Sequence, residues 1–263
     1  MRDHIIHIGI TTLASLLAFV SFNWLIDPYL IFNAPKISGV NTAKSELAIH
    51  ERIFKTVGLT RHPANTVILG TSCSDIGLDP NHPALGSGAI NLAISSQPYR
   101  ETRMLFDLLN DREAIKTFVI GLDFFVSNGS LREPPDFVVE NFTNERRWKL
   151  ALSGSTLMDS ALTIAKRKVL RGDTWSEKGL RLWSDEHVKN GGGHRKLMSS
   201  PWTRSSFDFG STSKNLPPLE EIRAVFSRAH RERIALKLLI SPSHARLWET
   251  LSASGLWHKW EEW

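Results

Sequence analysis

The residues best suited to chemistry lie where an apolar run of strand length, Thr66-Val67-Ile68-Leu69, ends abruptly in Gly70-Thr71-Ser72-Cys73-Ser74-Asp75. A buried strand that empties into small polar residues is typical of the carboxyl edge of a parallel sheet, where α/β proteins place their sites. The turn Gly70-Thr71-Ser72 would present a hydroxyl above that sheet, with neighbouring backbone N–H groups aimed at the same point. Ser72 could then attack an acyl carbon, provided that a histidine takes its proton and donors hold the developing oxyanion. The same tripeptide also serves as a helix cap or a plain tight turn. Cys73 adjoins the hydroxyl, but no histidine stands near it in sequence, and an inert small residue is expected there. His244, in Ser241-Pro242-Ser243-His244, is the candidate base; a helix-start residue packed near Pro242 is the alternative.

The elements that must position these residues follow from periodicity. Ala89 to Ile94 is a second strand candidate ending at Ser95-Ser96-Gln97, and Thr117 to Asp123 is a third, ending on a carboxylate beside Phe124-Phe125. Arg100 to Leu109 and Leu219 to Arg233 read as amphipathic helices, and Ile234 to Ile240 as a fourth buried strand. Polar-tipped strands separated by helices predict an α/β fold with a doubly wound, mostly parallel sheet. Thr42 to Thr60 has helical spacing, and Ile31 to Val40, with Pro35 and Gly39, reads as a linker. Residues 127 to 218 contain Pro134-Pro135, Gly191-Gly192-Gly193 and Pro217-Pro218, with one helix around Leu157 to Leu170, and are expected to form an insertion or cap. From His244 onward the pattern is helical and stops at Trp257-His258-Lys259-Trp260-Glu261-Glu262-Trp263 with no Gly or Asn cap, so further sequence is expected beyond Trp263.

Ahead of all this, Ile5 to Ile26 is a stretch of 22 positions without Asp, Glu, Lys or Arg. A helix needs about 20 apolar residues to cross roughly 30 Å of hydrocarbon. The stretch runs into Asn23-Trp24-Leu25-Ile26-Asp27-Pro28-Tyr29 rather than a small-residue cleavage site, which predicts an uncleaved anchor with Trp24 and Tyr29 in an aromatic belt. The expected organisation is an anchor over residues 1–30, a linker and helix over 31–66, and an α/β domain over 67–263. A net charge of +5 is modest, and the cationic cluster Lys166-Arg167-Lys168, Arg171, Lys178 and Arg181 reads first as a solvated helix face and second as a surface for anionic lipid or glycan. No nucleic-acid recognition motif accompanies the charge. The ten histidines show no metal-ligand spacing and no Gly-rich phosphate loop is present, so neither a metal nor another cofactor is expected. Eight of the nine tryptophans follow residue 147, which core packing explains more cheaply than a sugar-binding surface. The single cysteine excludes an internal disulfide.

The run Val67 to Pro80, with Ala89-Ile90-Asn91-Leu92-Ala93 and Ile120-Gly121-Leu122-Asp123-Phe124-Phe125 after it, resembles the membrane-anchored, SGNH-hydrolase-like proteins of the bacterial envelope. The resemblance implies a three-layer SGNH or flavodoxin-like fold and a domain outside the cytoplasm, anchored in the inner membrane. It also implies ester or acyl-transfer chemistry on an envelope polysaccharide or lipid. Ser72 then matches the nucleophile, with Gly70, Thr71 and Cys73 lining it and a Ser96 backbone N–H in place of the family's glycine donor. Asp123 stands where the family has an asparagine donor, and an ionised Asp123 would repel an oxyanion. The family's Asp and His block has two matches: His244, with Ser241 or no orienting acid, or residues beyond Trp263. A non-catalytic, anchored binding or scaffold subunit that kept this fold is the rival expectation.

Overall fold

The computed structural model describes residues 1–131, 133–143, 145–166, 174–182, 207–210, 216–243 and 245–263. In chain order the elements are α1 (Arg2–Ile26), α2 (Glu51–Ile53), β1 (Thr66–Leu69), α3 (Ser72–Gly77), β2 (Ala89–Asn91), α4 (Tyr99–Asn110), β3 (Thr117–Leu122), α5 (Arg146–Ala151), α6 (Gly154–Ala165), β4 (Thr174–Trp175), β5 (Arg181–Leu182), α7 (Pro218–Glu232), β6 (Ala235–Ile240), α8 (Ala245–Ala253) and α9 (Trp257–Glu262). The expected continuation of a helix to Leu170, the cations Arg167, Lys168 and Arg171, the triple glycine at 191–193 and His244 lie outside the described residues. The chain divides into two compact units.

The first unit comprises residues 1–58 and 139–172. Its α1 is long and apolar enough to cross a membrane, and its most apolar window has no residue buried. The helix ends where Asp27 adopts a left-handed conformation (φ 46°). The residues after it then satisfy the carbonyls that any helix leaves open at its C-terminus. Asn41 Nδ2 donates to the carbonyl of Leu25 at 2.6 Å, and Lys44 Nζ donates to that of Ile26 at 2.6 Å. Asp27 in turn accepts the backbone N–H groups of Ile31 at 2.7 Å, Phe32 at 3.1 Å and Ala34 at 3.4 Å. That wrapping carries Tyr29, Ile31 and Phe32 into a core with Val57, Leu150 and Ala151. The segment read from sequence as a linker thus starts as core, because its backbone is tied to a buried carboxylate. The helical spacing over 42–60 is realised only as α2, a π-helical turn at Phe54–Gly58 and a 3-10 turn at Leu59–Arg61.

Burial raises the pKa of Asp27 and lowers that of Lys44 from 10.5 to about 8. A lowered lysine pKa means that the folded state prefers the neutral amine. Stability is therefore expected to rise as pH climbs from about 8 toward 10.5, where the unfolded chain binds the extra proton. Urea titrations across that window should show the rise, and Lys44→Met should flatten it.

The second unit comprises residues 59–138 and 173–263 and holds a parallel sheet of four strands in the order β2-β1-β3-β6. Thr66 lies opposite both Ala89 and Thr117, and Thr117 lies opposite Ala235. Val67, Ile68 and Leu69 are fully buried, as the central position of β1 requires. β4 and β5 form an antiparallel hairpin whose Lys178 carbonyl accepts the N–H of Asn91 at 2.8 Å at the end of edge strand β2. The expected fourth buried strand needs correcting. β6 is the other edge, and Leu238, Leu239 and Ile240 are 51%, 38% and 57% exposed. An apolar run specifies extended backbone that pairs with β3, but it does not supply the layers that would cover it.

Candidate functional site

β1 and β3 are neighbours, so their carboxyl ends bring the Gly70-Thr71-Ser72 turn to Asp123. The chain leaves β1 for β2 on one side and then takes up β3 on the other. The connections therefore part between β1 and β3, which is where open α/β sheets form a ligand crevice. Thr71 Oγ1 donates to Asp123 Oδ2 at 2.6 Å and accepts the N–H of Cys73 at 3.4 Å, so Thr71 caps α3 and fixes the carboxylate together. Asp123 is buried, and its carbonyl accepts the Tyr99 hydroxyl at 3.2 Å.

Ser72 opens α3 and is half-buried. Neither its hydroxyl nor its backbone N–H has a hydrogen-bond partner among the described residues. Beside it, the Gly70 N–H donates to Gln97 Oε1 at 3.0 Å and the Gly70 carbonyl accepts the N–H of Ile94 at 2.9 Å. These bonds hold the Ser95-Ser96-Gln97 turn against the end of β1. Ser96 is exposed, with a positive φ of 53°, and its N–H also lacks a partner among the described residues. The sheet edge therefore gathers Gly70, Thr71, Ser72, Cys73, Ser96 and Asp123, whereas His244 lies outside the described residues.

Cys73 is an exposed residue, yet desolvation of its thiol and the nearby Asp123 carboxylate push its pKa up to about 11. The thiol stays protonated at neutral pH, which disfavours it as the nucleophile.

Two glycines make this geometry possible. Gly70 has φ +142°, which side chains disfavour, and a Cβ there would meet Ser74 Oγ at 2.5 Å. A Cβ on Gly121 would collide with the same oxygen and come within 3.3 Å of Ser74 Cβ. Gly121→Ala is therefore expected to cost about 1–3 kcal/mol through overpacking. Ser74→Ala in the same chain removes the clashing oxygen, which is buried without a partner among the described residues, and should recover much of that loss in urea denaturation.

Sequence reasoning missed the residues that brace α3. Asn91 Nδ2 donates to the carbonyls of Ser74 and Leu78, both at 2.9 Å, while its Oδ1 accepts the N–H of Ala93 at 3.0 Å. Asp75 is fully buried and pairs with Arg181 at 2.9 Å, and the Arg181 guanidinium also lies 4.9 Å from the Trp175 ring centre. Asn91 and Gln97 are polar residues beside apolar strand positions, a signal that could have marked them. Nothing local marks Arg181 as the partner of Asp75. No protein-family model, curated protein or solved structure matches the chain.

Proposed function

We propose that the chain is a membrane-anchored, SGNH-like esterase or O-acyltransferase acting on acyl esters of an envelope glycan or lipid, with Ser72 as nucleophile. The observation that carries this reading is the half-buried Ser72 hydroxyl at the carboxyl end of the central strand β1, which, like the N–H groups of Ser72 and of Ser96 in the turn held to Gly70, has no partner among the described residues. The strand order β2-β1-β3-β6 supports a doubly wound, three-layer arrangement of SGNH type. In this reading Ser72 Oγ attacks the ester carbonyl carbon as its proton passes to a base, for which His244 is the candidate; the N–H groups hold the oxyanion, the acyl C–O bond then breaks, and the alcohol leaves with that proton. Gly70, Thr71 and Cys73 line the turn, and the acyl group leaves on water or on a sugar hydroxyl.

One observation favours the rival, a non-catalytic anchored binding subunit. Asp123 stands where the SGNH resemblance has an amide donor, and it accepts the Thr71 hydroxyl instead. Incubation of the full-length chain with a serine-directed fluorophosphonate separates the two readings. A covalent adduct on the peptide containing Ser72 supports the enzyme, and a folded chain that takes up no label supports the binding subunit.

In the same reading α1 crosses the inner membrane once and the second unit stands outside the cytoplasm. Asn23, Ile26, Asp27 and Tyr29 are buried in the first unit, so removal of the anchor has to stop short of them. Deleting residues 2–18 is expected to move the chain from the membrane pellet to the soluble fraction. A full-length chain that is soluble without detergent would overturn the anchor.

A further inference from the structure

The bare part of α1 is too short to cross a bilayer alone. Fourteen consecutive residues from Ile5 to Ala18 are exposed before partial burial begins at Phe19, and the first fully buried position is Asn23. At about 1.5 Å per residue they span about 21 Å, against roughly 30 Å of hydrocarbon. If α1 spans the membrane, the apolar slab must continue about six residues further along the helix, to the level of Trp24. At that level the helix is already packed on α5 and α6. Asn23 Nδ2 donates to the carbonyls of Ala151 at 3.0 Å and Ser153 at 3.5 Å, and the Ser160 hydroxyl donates to Asn23 Oδ1 at 3.1 Å.

The corner between α5 and α6 is equipped for lipid contact. Leu152, between the two carbonyls that Asn23 holds, is 55% exposed, and Trp148 one turn earlier is 67% exposed, while Leu150 and Ala151 face the core. Met158 on α6 is 63% exposed and Trp24 on α1 is 43% exposed. On α5, flanking Trp148 in the chain, stand Arg146, Arg147 and Lys149. Arg147 also donates to the Phe32 carbonyl and Arg146 to Asn141 Oδ1. The carboxylates of the corner are Glu145, paired with Lys149 at 3.3 Å, and Asp159 on α6, which accepts the Tyr29 hydroxyl and lies 3.1 Å from His50 Nε2.

We infer that the α5–α6 corner is a second membrane contact, a collar in which Trp148, Leu152 and Met158 enter the same leaflet that α1 leaves at Trp24, and Arg146, Arg147 and Lys149 meet anionic phospholipid headgroups. The inference rests on the reading of α1 as a transmembrane helix. The continuity of the collar with that helix and its excess of cations over carboxylates commit it to a lipid surface.

The test uses the full-length chain in vesicles containing phosphatidylglycerol. A Cys73→Ser background receives a single cysteine at Ile10 or at Leu152, labelled with an environment-sensitive fluorophore. Both labels should emit blue-shifted and be quenched severalfold more strongly by lipid-attached nitroxide than by an aqueous nitroxide. Lys149→Glu should shift the balance at position 152 toward the aqueous quencher. A lipid-quenched label at 10 with a water-quenched label at 152 overturns the collar and leaves the anchor standing. A label at 152 shielded from both quenchers overturns it in favour of a protein partner, and labels that are both water-quenched overturn the anchor itself.

Discussion

If Ser72 is the nucleophile proposed above, Ser72→Ala is expected to remove ester hydrolysis or acyl transfer almost completely, by about 10⁴-fold or more in kcat, because a nucleophile and its base act as a unit. The residual rate would be what bound substrate and the backbone N–H donors of Ser72 and Ser96 sustain without a covalent intermediate. The substitution is structurally mild. The hydroxyl is half-buried and makes no hydrogen bond among the described residues, and alanine suits the first turn of α3. Unfolding midpoints should therefore stay with those of the parent chain while turnover of an activated acyl ester collapses. Equal turnover in the two proteins would remove Ser72 from the mechanism. Thr71 is a poor stand-in for the nucleophile, since its hydroxyl already donates to Asp123 and its oxygen caps α3.

Arg181→Ala carries the largest expected loss of stability. Asp75 sits on α3 directly after the site turn with its side chain fully buried, and Arg181, 13% exposed, reaches it from β5. Removing the guanidinium breaks a buried ion pair, a change that costs up to about 3–5 kcal/mol. The cation also loses its position over Trp175, so the hairpin should loosen with it. The double variant Asp75→Ala with Arg181→Ala removes both charges together and is expected to be more stable than Arg181→Ala alone. Urea denaturation of the two single variants and the double measures this coupling directly. Additive losses would mean that the pair contributes little and that other contacts, the Asn91 hydrogen bonds among them, hold α3.

Much of the parallel sheet was legible because each strand announces itself over a few residues. The apolar runs at Thr66–Leu69 and Thr117–Leu122 end on small or acidic residues, and a strand's identity and its polar tip are local properties. Helices α4 and α7 were legible for the same reason, through spacing that repeats every three to four residues. The uncharged stretch of α1 needed no tertiary context at all. The candidate site was legible as a turn around Gly70, Thr71 and Ser72, with Ser96 and Asp123 at the ends of the next two strands.

What sequence could not decide was how distant residues meet. Asp123 reads alone as a carboxylate at a strand end; only the pairing of β1 with β3 shows that it takes the Thr71 hydroxyl. Ile31 and Phe32 read as linker, yet the Asp27 carboxylate folds their backbone inward, an outcome set by hydrogen bonds that no periodicity encodes. β6 reads as buried because its residues are apolar, whereas burial depends on which layers lie over a strand. Arg181 is separated from Asp75 by more than a hundred residues, and the charge of each gives no hint of the other. The sequence by itself determined the apolar stem, the strand-end hydroxyl and the α/β class, all of which are local in the chain. Tertiary structure decided the partners of the buried charges and the surfaces left open, because desolvation and pairing are properties of a place in space and not of a residue in a row.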